Sequence, residues 1–575
     1  MKRQTHRLFN NGARALATLG AALALAGCAN LGPPPLDPLI GQTALPLSAN
    51  MQAYHVLQYT LALEVLPESK TIQGSGATRL RALAPLSVVE LRLDSRFNVA
   101  KVEVDGQPAS LQRAGGVLSI PLARPLPAGG EATVTVFYSG APHVAKRAPW
   151  DGGTVWATTP QGQPWVATAV EGEGCDLWWP CKDHFGDKPD AVAMHITVPA
   201  GLSAAMNGRL QGMDTLADGR RTFHWLLSVP VSDYNIALNV GPYVRIQEQY
   251  TGVNGATIPI EFWALPENAQ KARELVNQDL RSQVEFFEKF LGPYPWGGEK
   301  MGFVETPHLG MEHQTINAYG KGYKRDINGY DWLMQHELSH EWFGNLVTHK
   351  RLNDAWIHEG FAQYMQPAYA RWRFGEAAYH HAMYARYLPL KNCAPVVLAG
   401  EPSAQDAFSS DIYGKGAWTL HTLRWLVGDE AFWRATRRLL YDTATPWSLP
   451  YPLTTRYRST EDFIAIVNQE SGRDWTWLFD VYLREAALPE LLSEQTPTQL
   501  TLRWKVPANK PFPMPVPVAV NGNLHLLDLS GGSATLALHA GDHVQLDPEM
   551  RVLRQLDLIE PCKPPVPKTE SAAKK

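Results

Sequence analysis

At 575 residues the chain is too long for one hydrophobic core, and its length predicts roughly two to four domains with room for a deep site between them. Hydrophobic residues make up 45% and charged residues 19%, with 19 tryptophans, which excludes a disordered or fibrous protein. The formal net charge of -4, with no long basic run outside the extreme ends, offers nothing to a polyanion, so nucleic acid is not an expected partner.

The N-terminus reads MKRQTHRLFNNGARALATLGAALALAGCAN, with Lys2, Arg3, Arg7 and Arg14 ahead of a short apolar run over 15–26 and small residues before Cys28. This is the order of an export signal over residues 1–27, too short for a comfortable membrane span. The run Leu25-Ala26-Gly27-Cys28 resembles the lipobox of bacterial lipoproteins. That resemblance implies a lipid on Cys28 and an exported protein anchored to a membrane, facing the periplasm or the cell surface; the alternative is an ordinary cleaved signal peptide. Residues 28–50 include GPPPLDPLIG, whose prolines favour an extended tether. Cys175, Cys181, Cys393 and Cys562 are then too few for a disulfide scaffold. Cys175 and Cys181 could pair across a tight loop in an oxidising compartment, but two buried apolar thiols are the expectation.

Residues 51–247 carry short alternating runs, YTLALEVL, SVVELRLDS, ATVTVFYSG and AVAMHITVPA, separated by turn residues. Period-two alternation at this spacing predicts an N-terminal antiparallel β domain. The period then lengthens: Leu275, Leu280, Val284, Phe287 and Leu291 recur at helical spacing, and helical patterns dominate residues 248–490. Strand patterns return over 495–560, with an Asn521-Gly522 turn signal, as a small C-terminal β domain before a loose tail at 561–575. The expected class is multidomain α+β.

Within the helical region, QHELSHEWFGN sets His336 and His340 four residues apart, on one face of a helix, where both imidazoles can reach a single ion. Glu337 points to the neighbouring side, placed to act as a base toward a water at that ion. A catalytic zinc site takes three protein ligands and leaves a position for water. HEGFAQYM supplies Glu359, with eighteen residues between it and His340, the right gap for a helix, a turn and a return helix that begins near Asn353 or Asp354. Two imidazoles and a carboxylate suit one Zn2+, whereas a harder ion needs more oxygens. His349 and His358 are off this pattern and read as surface or packing residues.

HELSHEWFGNLVT followed by WIHEGFAQY resembles the gluzincin aminopeptidase family, which includes alanyl aminopeptidase and leukotriene hydrolase. The resemblance implies an N-terminal β domain, a thermolysin-like catalytic domain, and further matches over most of the chain. LGMEHQT resembles the family's Gly-x-Met-Glu-Asn exopeptidase motif, which implies that Gly310, Met311 and Glu312 line the substrate site and that Glu312 holds the free α-amine. Leu309 and His313 stand where that motif has glycine and asparagine. DAFSSDIYGKGAW resembles the segment with the transition-state tyrosine, which falls on Tyr413. VEGEGCDLWWPCKDH resembles the segment that supplies a second amine anchor, on Glu171, with Glu173 the neighbouring candidate. The long helical C-terminal domain of larger members has no counterpart in this sequence, which implies a more open cleft.

Together these readings predict a zinc-dependent aminopeptidase with peptide substrates that have a free N-terminus. Three others compete: a thermolysin-like endopeptidase, which needs no amine anchor; an epoxide hydrolase like the leukotriene enzyme; and a non-catalytic binding module, which the full set of ligands and base disfavours.

Overall fold

Along YHVLQYTLALEVL, Tyr59, Leu61, Leu63 and Val65 turn inward and are buried, while Ala62 between them is exposed. In the computed structural model, which describes residues 43–556 and Cys562, this strand, Tyr54–Leu66, lies inside an eight-stranded sheet. The expected export signal, Cys28 with its lipid, most of the tether and all of the tail except Cys562 lie outside the described residues. Tyr54–Leu66 pairs antiparallel with Thr71–Ala82, as alternation predicts, but parallel with Ala191–Val198, a seam made possible by the long connection between the two strands. A four-stranded sheet beside it contains Pro164–Ala169, which ends just before Glu171 and delivers the loop that follows.

That loop corrects one expectation. Cys175 and Cys181 form a disulfide rather than two apolar thiols. The turn Cys175–Leu177 folds the loop back, and paired backbone hydrogen bonds between Arg92 and Cys181 hold its far end, leaving the two Cα atoms 6.3 Å apart, within bridging range. Cys393 bridges to Cys562 in the same way, with Cα atoms 5.2 Å apart, so the tail is tied at that residue.

The next region is built on a five-stranded sheet: β1 (Val244–Thr251), β2 (Thr257–Ala264), β3 (Met301–Glu305), β4 (Gly310–Met311) and β5 (Asn317–Tyr319), in the spatial order β1-β2-β3-β5-β4. β1 straddles the boundary expected at 247/248. Three helices frame the site: α1 (Trp332–Ser339), α2 (Trp356–Phe374) and α3 (Asp411–Val427). Two three-stranded sheets follow, and Asn521 (φ 52°) and Gly522 (φ 84°) make the expected tight hairpin between Val516–Val520 and Asn523–Leu527. One apolar core is continuous through all three regions, from Leu61 through Leu338 to Val518. Among the described residues no helix is long and apolar enough to cross a membrane.

Candidate active site

α1 begins where Asp331 caps it, its carboxylate accepting the Met334 N–H at 3.0 Å. His340 closes the helix with helical backbone angles (φ -67°, ψ -17°), so the four-residue spacing keeps it on the face of His336. α2 returns alongside and brings Glu359 to the pair. His336 Nε2 and His340 Nε2 are 3.3 Å apart, and Glu359 Oε2 lies 3.3 Å from the first and 3.4 Å from the second. Ligands about 2.0–2.1 Å from a tetrahedral ion lie about 3.3–3.4 Å from one another, so this triangle has the size a zinc-like ion requires. Glu359 Oε2 is buried with no hydrogen-bond partner, and His340 Nδ1 donates to the Phe343 carbonyl at 2.9 Å, which leaves Nε2 as the free ligand atom. The donor set therefore fits a metal.

Glu337 turns toward β4. A Cβ on Gly310 would stand 2.3 Å from Glu337 Oε1, so the close approach of strand and carboxylate requires glycine there. Burial pushes the Glu337 carboxyl well above its ordinary range; His340 draws it back, and Glu312 and Glu359 add to the rise. Acceptor atoms of Glu312, Glu337 and His340 all fall within 4.8 Å of one another. Met311, the residue between Gly310 and Glu312, is buried.

Glu312 is 3% exposed and its carboxylate accepts the Tyr234 hydroxyl at 2.8 Å. The Glu171 carboxyl, from the loop of the N-terminal domain, meets that of Glu312 at hydrogen-bonding range. Burial, and then the Glu312 charge, pushes Glu171 well above the usual carboxylate range. Glu173 points elsewhere, toward the Gly152 backbone, and is pushed up to about 7 by burial. Of the two acids in that segment, Glu171 is the one beside Glu312.

On the opposite wall, Tyr413 donates its hydroxyl to Glu359 Oε1 at 2.7 Å and stacks on His336. Two glycines make this possible: a Cβ on Gly416 would lie 2.9 Å from the Gly360 Cα, so α2 and α3 cross at a distance no larger residue permits.

Several supporting residues were missed by sequence reasoning. Glu341, the residue after His340, is fully buried and accepts five hydrogen bonds, from Tyr294, Trp296, Thr315, Asn317 and Asn345 at 2.8–3.1 Å. It pins the end of α1 to the segment after Glu312. Asn345 and Asn235 donate to the Glu312 carbonyl at 3.0 and 3.2 Å, which keeps that residue in place although His313 replaces the motif's asparagine. His349 and His358 are buried packing residues, ring against ring at 4.4 Å. The only sequence cue for Glu341 is its place directly after the second histidine.

Residues 285–446 match the Peptidase family M1 domain. Aminopeptidase B of Rattus norvegicus is 26% identical over 397 residues, which cover 63% of this chain and 58% of that protein. Leukotriene A-4 hydrolase of Xenopus laevis is 24% identical over 66% of this chain and 64% of its own length. The chain thus spans less than two thirds of these curated relatives. Among solved structures, a mutant M1 zinc metallopeptidase from Deinococcus radiodurans bound to a Tyr-Ser-Ala substrate aligns with a TM-score of 0.63 and 25% identity, over 78% of this chain and 98% of that one. The M1 domain match, the two-histidine-one-glutamate cluster and the multidomain fold together support the gluzincin aminopeptidase family.

Proposed function

We propose that the protein is a zinc-dependent aminopeptidase that removes residues one at a time from the free N-terminus of peptides. The observation that carries this reading is the meeting of Glu312 and Glu171 beside the metal-binding cluster. Two carboxylates in contact, one buried and one half-buried, repel unless a proton or a cation lies between them, and a substrate α-ammonium is such a cation. It would be held within one residue's reach of Glu337, so the bond cut is the first.

His336, His340 and Glu359 would hold the zinc, which when bound polarises the scissile carbonyl and acidifies a water. Glu337 takes a proton from the attacking water and passes it to the amine that leaves as the C–N bond breaks. Tyr413 turns its hydroxyl to the oxygen that gains charge in the transition state. Gly310 and Met311 line the floor under the substrate, and Glu312 and Glu171 set its N-terminus.

The test is the product pattern from an unmodified peptide of about eight residues, followed by mass spectrometry. A ladder of single-residue losses from the N-terminus supports the reading; internal fragments without such a ladder would replace it with an endopeptidase.

We also propose that the chain is exported and held to a membrane by lipid on Cys28, a reading supported by the signal-like N-terminus and the Leu25-Ala26-Gly27-Cys28 motif. In a bacterial host, labelling with an alkyne fatty acid should mark the parent and not Cys28→Ala. Equal labelling of both would end that proposal.

A further inference from the structure

The solvent face of the eight-stranded sheet carries a second pair of histidines, on strands that supply nothing to the catalytic cluster. His195 on Ala191–Val198 and His224 on Arg221–Leu227 stand directly opposite each other in an antiparallel register, and both are half-buried. Their Nδ1 atoms face each other at 2.7 Å. The positions on either side are small: Gly212 pairs with His224, and Ala62 with His195, in one cross-strand row. A Cβ on Gly212 would meet nothing within 4 Å, so space is open beside His224.

The third member is Asp214, on the edge strand Arg209–Thr215, whose carboxylate lies 3.0 Å from His224 Nε2. An ionised carboxylate can only accept, so in the neutral His224 ring Nε2 carries the hydrogen and the lone pair sits on Nδ1, toward His195. A metal-ligating imidazole is set in the same way, one ring nitrogen donating to a carboxylate while the other keeps its lone pair. Without an ion, the His195 Nδ1–H donates to that lone pair. Burial, and then the neighbouring His224, push His195 down from the ordinary histidine range, which keeps its ring neutral at pH 7.

The spacing distinguishes this pair from the catalytic one. The catalytic Nε2 atoms are 3.3 Å apart, the separation of two ligands on a tetrahedral ion. Two nitrogens about 2.0 Å from an ion and at right angles in a square plane stand about 2.8 Å apart, and the 2.7 Å here is close to that. Square-planar nitrogen sites suit Cu2+ or Ni2+, and of the two Cu2+ binds more tightly.

We infer that His195 and His224 form a surface site for one Cu2+, with both Nδ1 atoms as ligands, Asp214 orienting His224, and water in the remaining positions beside Gly212. On binding, the hydrogen of His195 Nδ1 passes through solvent to Nε2 of the same ring, so both imidazoles ligate in the neutral form and no net proton is released. This site is independent of the aminopeptidase reading.

The experiment titrates Cu2+ into the zinc-loaded protein, with calorimetry for affinity and electron paramagnetic resonance for the ligands. The parent should take up one Cu2+ with a tetragonal spectrum split by two coordinating nitrogens, and its zinc content should not change. His195→Gln and His224→Gln should each weaken binding by more than Asp214→Asn, which removes only the orienting partner and should cost roughly tenfold. Each variant should keep the parent's Tm without copper, which separates a lost ligand from a lost fold. Equal copper affinity in the parent and in the His195→Gln/His224→Gln double variant overturns the inference, as does a spectrum with fewer than two nitrogens or copper uptake matched by zinc loss. Tighter binding of Zn2+ than of Cu2+ at the pair overturns the choice of ion.

Discussion

Glu337 and Glu359 are buried carboxylates of one cluster in opposite electrostatic situations. Burial works against ionisation of both; at Glu359 it is outweighed by His340 and His336, and at Glu337 it prevails. In the mechanism we propose, Glu359 is the ligand and Glu337 the group that exchanges protons. Glu337→Gln should therefore keep its zinc while turnover falls on the order of 10²–10⁴-fold, the usual worth of a general base. Glu359→Ala should lose the metal along with activity. Metal analysis of the purified variants beside reporter hydrolysis checks both, and equal metal loss in the two would contradict the division of roles. Tyr413→Phe removes only the hydroxyl that now rests 2.7 Å from Glu359. Its kcat should fall on the order of 10²–10³-fold with little change in KM, since the lost hydrogen bond matters where charge develops. A rise in KM at unchanged kcat would assign the hydroxyl to binding instead.

At the scale of elements, the site depends on how closely α2 and α3 cross. A Cβ on Gly416 would meet the Gly360 Cα at 2.9 Å, so Gly416→Ala must push the helices apart and draw Tyr413 off Glu359. Overpacking of this kind costs about 1–3 kcal/mol, read as a lower Tm, and kcat should fall with it. Gly298→Ala, where a Cβ meets nothing within 4 Å, is the matched control and should leave both unchanged. The zinc-ligand pattern was legible because His336, His340 and Glu359 lie on two neighbouring helices, where 3.6-residue periodicity sets their geometry. The strand alternation and the Asn521-Gly522 hairpin were legible for the same local reason. Glu341 and Tyr234 were not, because, Asn345 apart, their partners come from segments distant in sequence and no periodicity relates them. The Cys175–Cys181 bridge was misread on similar grounds, since six residues of separation do not say which way a loop turns. Resemblance rather than pattern located Tyr413 and Glu171, each one of many such residues in the chain.

For the whole molecule, the proposed amine site depends on the meeting of two regions. Glu171 and Tyr234 come from the N-terminal β domain, Glu312 from the edge of the catalytic sheet. Contacts across that junction fix it: Lys300 Nζ donates to the Met206 carbonyl at 2.8 Å, the Asn207 amide to the Gln314 carbonyl at 2.7 Å, and the Gly208 N–H to the Thr315 hydroxyl at 2.9 Å. The last two of these bonds clamp the segment just after Glu312, so the N-terminal domain helps to build the proposed active site. The central claim is that this shared site recognises a free α-ammonium. The most direct measurement is kcat/KM for one short peptide in two forms, free and N-acetylated, with the parent and with Glu312→Ala. Truncating one partner of a buried charge pair costs on the order of 2–5 kcal/mol, so the parent should prefer the free peptide by roughly 30-fold or more, and Glu312→Ala should lose most of that preference. Cleavage of the acetylated peptide as efficiently as the free one, at an internal bond, would contradict the account.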